Sequence, residues 1–225
     1  MAVVLVPGFM LDADLWSDIL DDLEPFGPVI HVDTSHAPSI EDMAAATLQK
    51  APERFDLIGF SMGGYVARAI YRLAQERVRR LVLIATSARG DTEIQAKRKA
   101  AVAAADPAAF RGLSRDAIRK SLAADRETDE QIIDRIRDMS LRLGGETFRR
   151  QTLFHRTTET DSLSAIRCPT LVIAGSKDRL RSLEEARELA TAIPLARLDI
   201  IDTGHMIPLE SPKELSAALT AFLGT

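Results

Sequence analysis

Six short apolar runs, most of them continuous, are the feature that most constrains the fold of this chain. They cover residues 3–6, 29–32, 55–58, 81–85, 170–174 and 197–201. Each run has the length of a strand, and continuous apolar runs are typical of parallel strands that helices cover on both faces. Amphipathic stretches separate the runs. We therefore predict an α/β fold with a doubly wound, mostly parallel sheet of about six strands.

Local signals indicate where helices begin between these strands. Apolar residues recur at helical spacing over 15–23, behind candidate caps at Asp12 and Asp14. Three further helix starts have the spacing of a capping box: Ser39 with Asp42, Ser182 with Glu185, and Ser211 with Glu214.

The middle of the chain differs from both ends. Residues 88–161 contain no convincing strand, and Ala-rich and charge-rich helical stretches follow one another there, with breaks at Pro107, Gly112 and Gly144-Gly145. We predict one domain over 1–225 that carries a helical cap insertion at 88–161. A solvent-facing helical decoration is the alternative.

The most informative motif is Gly59-Phe60-Ser61-Met62-Gly63-Gly64. It follows a predicted strand and precedes a helical pattern, which is the context of a nucleophile elbow. A sharp turn there lifts the serine hydroxyl above the sheet and requires small residues two positions before and after it. The pattern predicts Ser61 as a nucleophile.

A serine nucleophile needs a base and an acid that orients the base. His205 is the only one of four histidines that follows the last predicted strand, so it lies at the carboxyl edge of the sheet, where ligands bind in such folds. Asp178 follows the preceding strand and is favoured as the acid over Asp202, which lies only three residues before His205. His36 and His155 are expected to be surface or packing residues.

An oxyanion hole requires two backbone N–H donors. We predict that Met62, directly after the nucleophile, supplies one donor. The loop after the first strand, at 7–10, is expected to supply the other through Phe9.

Composition excludes several other functions. The 225 residues carry a formal net charge of −4, which gives no reason to expect nucleic acid or an anionic membrane as a partner. The basic blocks at 77–80 and 97–99 are interpreted as solvated faces.

Cys168 is the one cysteine, which excludes an internal disulfide and any multi-cysteine metal site, and we expect it to pack at a strand entrance. No signal peptide or membrane span is indicated, so we expect a cytoplasmic protein.

Together these motifs resemble the α/β-hydrolase superfamily, specifically its small bacterial serine esterase and lactonase branch. The matching pieces are Val-Pro-Gly-Phe at 6–9, Gly-Phe-Ser-Met-Gly-Gly at 59–64, Leu-Val-Leu-Ile-Ala-Thr-Ser at 81–87, Gly-Ser-Lys-Asp at 175–178, and Gly-His-Met-Ile-Pro-Leu-Glu-Ser-Pro at 204–212. The resemblance implies triad roles for Ser61, Asp178 and His205, and the role of a cap for the insertion.

The chain departs from the family pattern in two places. Pro7 stands where the family usually has a histidine before the glycine of the oxyanion loop, so the hydrogen bonds that normally hold this loop are in question. The chain also begins at what is usually the third strand of the fold. A shortened sheet follows, with an early edge that a partner subunit would cover in a homodimer.

We therefore expect a serine hydrolase that cleaves a small carboxylic ester or a lactone through an acyl-enzyme on Ser61, without a metal or organic cofactor. By the resemblance, a serine nucleophile disfavours the haloalkane dehalogenases and epoxide hydrolases of this fold, which use aspartate. Carbon–carbon bond hydrolysis, perhydrolysis and a hydrolase-like receptor for a small ligand remain open. Four apolar residues are candidate substrate contacts, with core packing as the alternative: Met139, Phe148, Phe154 and Met206.

Overall fold

One six-stranded parallel sheet forms the centre of the protein. The computed structural model describes residues 2–225. The strands, in the sheet order β2-β1-β3-β4-β5-β6, are β1 (Ala2–Val6), β2 (Val29–His31), β3 (Phe55–Phe60), β4 (Val78–Ile84), β5 (Thr170–Gly175) and β6 (Ala196–Ile201). All five strand pairs are parallel. The prediction of a doubly wound sheet of about six strands is confirmed.

Nine α-helical segments accompany the sheet within residues 2–225. They are α1 (Leu20–Leu23), α2 (Ile40–Lys50), α3 (Met62–Leu73), α4 (Glu93–Ala103), α5 (Arg115–Arg119), α6 (Glu130–Thr152), α7 (Leu183–Ala192), α8 (Ile207–Glu210) and α9 (Pro212–Leu223). Among these, no helix is both long and apolar enough to cross a membrane.

The sheet buries both of its faces, which explains the continuous apolar runs. Val4 and Val6 of β1 belong to a cluster with α2, α3 and α7. Val3 and Leu5 point to the opposite face and pack in a second cluster that includes α9. Since successive strand residues alternate between faces, both sets must be apolar when helices cover both sides.

Some of the helix starts predicted from the sequence are present in the structure, and others are not. Asp12 caps a 3₁₀ segment, Ala13–Ile19, that precedes α1. The apolar spacing over 15–23 predicted one continuous helix there. Ser182 and Glu185 form a complete capping box at α7, and Ser39 caps α2. The predicted box at Ser211 is wrong: this residue makes no side-chain cap because it directly joins α8 to α9, with a non-extended ψ of 56°.

The segment between β4 and β5 contains α4, α5 and α6. Gly144 has φ 77° and ψ 173°, which breaks α6 into two helical parts at one of the predicted positions. A Cβ on the neighbouring Gly145 would lie 2.0 Å from the Pro107 carbonyl oxygen, so α6 and the 107–109 turn approach each other closely there.

The interpretation of residues 77–80 as a solvated face is wrong. Asp56 of β3 is buried, with a side chain 1% exposed, and it pairs with Arg79 and Arg80 on the neighbouring strand. Arg77 instead donates to main-chain carbonyl groups at 48, 51 and 52. A buried carboxylate needs such partners, and no local sequence pattern indicates which basic residues supply them.

Candidate active site

Ser61 lies at the turn between β3 and α3. Its φ of 53° and ψ of −112° place it in a conformation that residues other than glycine rarely adopt. The turn is held by its own backbone, because Ser61 N donates to the Ile84 carbonyl at 2.8 Å and Thr86 Oγ1 donates to the Ser61 carbonyl at 2.7 Å. The Ser61 hydroxyl does not cap α3 and is therefore available for other contacts.

The glycines around Ser61 are required by close backbone approach. A Cβ on Gly59 would lie 2.4 Å from the Gly63 carbonyl oxygen, and a Cβ on Gly63 would lie 2.2 Å from the Val6 carbonyl oxygen. No side chain fits at either distance. The strained turn thus explains both glycines of the motif.

Asp178, His205 and Ser61 form one hydrogen-bonded chain. Asp178 Oδ2 lies 2.7 Å from His205 Nδ1, and His205 Nε2 lies 3.0 Å from Ser61 Oγ. A carboxylate can only accept, so Nδ1 carries the proton and Nε2 is free to accept from the serine hydroxyl. The side chains of Asp178 and His205 are 1% and 6% exposed, so water does not compete with this contact.

The second oxygen of Asp178 fixes the carboxylate in place. Oδ1 accepts from the backbone N–H groups of Leu180 and Arg181 at 2.7 and 2.9 Å. His205 is held from its other side, since its backbone N–H donates to the Ser121 carbonyl at 3.1 Å. The imidazole also packs against Phe60, with ring centroids 5.3 Å apart.

The rival residues lie elsewhere. Asp202 accepts from Ser176 Oγ at 2.6 Å and pairs with Lys177, and its side chain is 76% exposed. His36 is exposed and faces Asp33, and His155 is exposed. His205 is therefore the histidine that contacts Ser61, and Asp178 is the acid that contacts His205.

Two backbone N–H groups next to Ser61 are free. Neither Phe9 N nor Met62 N donates to any group within residues 2–225. Met62 is the first residue of the 12-residue helix α3, whose N-terminus favours negative charge. Both predicted oxyanion donors are thus unpaired at the carboxyl edge of the sheet.

Gln151 on α6 holds the oxyanion loop, a role that no sequence motif indicates. Its Oε1 accepts from Met10 N at 2.8 Å, and its Nε2 donates to the carbonyl and hydroxyl oxygens of Thr34 at 3.0 and 3.2 Å. Met10 is fully buried with φ 55°. This loop carries Pro7 where the family usually has a histidine. In this chain, a glutamine from the segment 88–161 holds the loop.

Two cavities meet at Ser61 and Phe9. The first has a volume of about 200 Å³ and includes Met62 and Phe154, and the second has about 190 Å³ and includes His205 and Met206. Residues of the 88–161 segment line both of them. Phe154 and Met206 are therefore placed beside the nucleophile.

The other two predicted substrate contacts lie outside these cavities. Met139 is fully buried in the same cluster as Ile136, and Ile136 is the residue of that helix face that lines the second cavity. Phe148 packs behind Phe9, with ring centroids 5.7 Å apart, and stacks on Phe110. Met139 is therefore a core residue, and Phe148 packs against two aromatic rings instead of lining either cavity at Ser61.

The interpretation of residues 97–99 as a solvated face holds for Lys97 and Arg98, which are exposed, and fails for Lys99. Lys99 and Arg156 line the first cavity. Both pair with Asp91, whose side chain is 2% exposed. Because residues 97–99 are all basic, the sequence does not indicate that only Lys99 faces inward on α4.

Comparison with known proteins shows the family of this chain. Residues 3–218 match the model of the family described as the alpha/beta hydrolase family. The chain belongs to the α/β-hydrolase family. The pimeloyl-[acyl-carrier protein] methyl ester esterase of Photobacterium profundum is 41% identical over 95 residues, which is 39% of this chain and 37% of that relative. The match therefore spans little more than a third of the relative's length.

Two solved structures resemble this α/β hydrolase over its whole length. A thermophilic esterase from Thermogutta terrifontis, with malate bound, superposes with a TM-score of 0.90 at 28% identity and covers 100% of this chain and 89% of that chain. The enol-lactonase from Burkholderia xenovorans LB400 gives a TM-score of 0.87 at 23% identity, with 100% and 91% covered. The second likeness concerns the fold alone.

Proposed function

We propose that this protein is a serine hydrolase that cleaves carboxylic esters through an acyl-enzyme on Ser61. The observation that carries the proposal is the hydrogen-bonded chain Asp178–His205–Ser61 next to the free N–H groups of Phe9 and Met62. The esterase names of the relatives support the same activity.

In the first step, His205 Nε2 takes the hydroxyl proton while Ser61 Oγ attacks the ester carbonyl carbon. Negative charge develops on the carbonyl oxygen, where the N–H groups of Phe9 and Met62 stabilise it. His205 then gives the proton to the oxygen of the leaving alcohol, and the ester C–O bond breaks. Asp178 stabilises the imidazolium between these two transfers.

In the second step, a water molecule loses a proton to His205 and attacks the acyl carbonyl carbon. The same two amides hold the second oxyanion. The proton returns from His205 to Ser61 Oγ, and the carboxylic acid leaves. Loss of one oxyanion donor typically costs about 10²–10³ in rate, so this pair of amides is central to the chemistry.

The segment 88–161 is proposed to act as the cap of the active site. Its residues line both cavities beside Ser61, and Gln151 holds the loop that carries Phe9. A cap in this position restricts which acyl and alcohol groups reach the nucleophile.

Hydrolysis of a short p-nitrophenyl ester series, with fluorophosphonate labelling, tests the proposal. Wild type should turn over many times and label stoichiometrically, and Ser61→Ala should lose both. Ser176→Ala is the matched control, since this serine lies at the same sheet edge but contacts Asp202 instead of a histidine. Labelling without turnover would favour a receptor, and a folded protein without labelling would exclude Ser61 as the nucleophile.

A further inference from the structure

The two cavities at Ser61 differ in charge. In the second cavity, His205 is the only titratable side chain among the lining residues, and the rest of the wall is mostly apolar. The first cavity is lined by Lys99 and Arg156, and no carboxylate lies among the described residues of its wall. An asymmetric site of this kind separates a charged group from an apolar one across the reacting carbonyl.

Asp91 holds both cations from behind the wall. Its Oδ1 accepts from Arg156 Nε at 3.0 Å and Nη2 at 2.5 Å, and its Oδ2 accepts from Lys99 Nζ at 2.7 Å and from the Arg156 backbone N at 3.2 Å. These contacts hold the pKa of the Asp91 carboxyl below its usual value despite burial. Two cations face one carboxylate, so one positive charge is not neutralised within the cluster.

Donor groups of this cluster remain unused. Arg156 Nη1 makes no hydrogen bond to any group in the part of the chain that the structure describes. Lys99 Nζ donates to Asp91 and to the Phe154 carbonyl oxygen, which leaves one of its three N–H bonds. Both side chains are only about one-fifth exposed, at 22% and 23%. Unused N–H donors on a lysine and an arginine suit an anionic group such as a carboxylate.

The position of His205 decides which part of an ester enters which cavity. The leaving oxygen must receive its proton from His205 Nε2, so the alcohol group belongs on the side that His205 lines. Met62, whose N–H faces the oxyanion, lines the other cavity. The acyl group therefore extends toward Lys99 and Arg156.

We propose that the first cavity binds a carboxylate at the far end of the acyl chain, so that the substrates are monoesters of short dicarboxylic acids with an apolar alcohol. The inference rests on the proposed function and adds a substrate class to it. The volume of about 200 Å³ lies below the range of roughly 300–1,000 Å³ that is typical of ligand sites, which limits the acyl chain to a few carbon atoms.

The test compares benzyl hydrogen succinate with benzyl levulinate, in which a methyl ketone replaces the carboxylate at nearly constant shape. Wild type should prefer the succinate ester by about tenfold or more in kcat/KM, since the carboxylate gains charge-assisted hydrogen bonds. Lys99→Met should remove most of this preference by raising KM for the succinate ester much more than KM for the levulinate ester. Free succinate should slow fluorophosphonate labelling of wild type and not of Lys99→Met.

Lys97→Met is the matched control, because it removes an exposed lysine from the same helix. It should keep the preference for the carboxylate. Equal losses on both esters in Lys99→Met would show that Lys99 has a structural role, and equal wild-type rates on both esters would overturn the proposed carboxylate site while leaving the esterase intact. Absence of Ser61-dependent turnover of either ester would overturn the esterase as well.

Discussion

The side chain of Gln151 accepts a hydrogen bond from the backbone N–H of Met10 at 2.8 Å, across 141 positions of sequence. Met10 follows Phe9, whose N–H is a proposed oxyanion donor. Through Nε2, the same glutamine also contacts Thr34 on the neighbouring loop. The proposed oxyanion donor is therefore positioned from α6, an element of the proposed cap.

Gln151→Leu should lower kcat for ester hydrolysis by about tenfold with little change in KM. The loss is smaller than the factor of about 10²–10³ for a missing oxyanion donor, because the Phe9 N–H is still present but less well held. Met10 N and the Thr34 carbonyl would be left buried without a partner, so the free energy of unfolding should fall by about 1–3 kcal/mol. Steady-state kinetics and urea denaturation measure the two effects.

Thr147→Val is the control for this substitution. Thr147 lies on the same helix and donates to the Ser35 carbonyl on the loop that Gln151 also contacts, but it does not reach Met10. It should cost stability and leave kcat unchanged. A drop in kcat that is as large in Thr147→Val would mean that any loosening of α6 slows the reaction and that Gln151 has no separate positioning role.

Cys168 should be unreactive. Burial raises the pKa of its thiol to about 11, so the reactive thiolate is scarce at neutral pH. Iodoacetamide should modify the native protein much more slowly than the urea-unfolded protein, and prior treatment of the native protein should leave esterase activity intact. Rapid loss of activity on alkylation would contradict the packing role of this residue, and Cys168→Ala would then show whether the thiol itself is responsible.

Local pattern explains what could be predicted from the sequence. Most of the strands contain a continuous apolar run because helices cover both faces of the sheet. Gly59 is fixed by close contact with the Gly63 backbone inside the strand–turn–helix unit, and Gly63 is fixed by the Val6 carbonyl on β1. Asp178 and His205 could be found because each follows a strand directly. Parallel strands bring their carboxyl ends to the same edge of the sheet.

Contacts that depend on the packing of α4 and α6 could not be predicted from the sequence. Gln151 of α6 meets Met10, and Lys99 of α4 meets the carboxylate of Asp91 that Arg156 also contacts, only because of the rotation of each helix about its axis. Composition gives the apolar face of α6 but not the residue on it that faces the cavity. Ile136 lines the wall where Met139, one turn away, was expected.

Glu210 ties the loop of His205 to the inserted segment. Its Oε1 accepts from Met206 N at 2.9 Å and its Oε2 accepts from Ala123 N at 2.8 Å. Burial raises the pKa of this carboxyl above its usual value of 4.5 despite these hydrogen bonds. Just above pH 4.5 the folded protein therefore keeps a proton that the unfolded chain has released.

Stability should consequently fall as the pH rises from about 4.5 through the raised pKa of Glu210, since the folded state binds more protons than the unfolded state in that window. In Glu210→Gln, the free energy of unfolding should depend less on pH above about 4.5 than it does in wild type. Glu214→Gln removes the same charge from an exposed position nearby and should keep the wild-type slope. Parallel slopes in all three proteins would contradict the raised pKa.

Asp178→Asn should reduce kcat by about 10⁴, because an asparagine can present an N–H to His205 Nδ1 and thereby favour the wrong tautomer. The carboxylate is 1% exposed and also accepts from the backbone at 180 and 181, so the variant should lose some stability as well. Stability must therefore be measured alongside the rate, and labelling by fluorophosphonate should slow in parallel with kcat.

Asp202→Asn makes the same change at the rival carboxylate. Asp202 is 76% exposed and contacts Ser176 and Lys177, so its loss should alter kcat by less than about twofold, as is usual for an exposed ion pair. The two substitutions lie after neighbouring strands, β5 and β6. Their expected effects on kcat differ by about four orders of magnitude. If Asp202→Asn were the slower enzyme, the histidine would have to turn toward the last loop during catalysis, and the contact at 2.7 Å between His205 and Asp178 would not be the catalytic one.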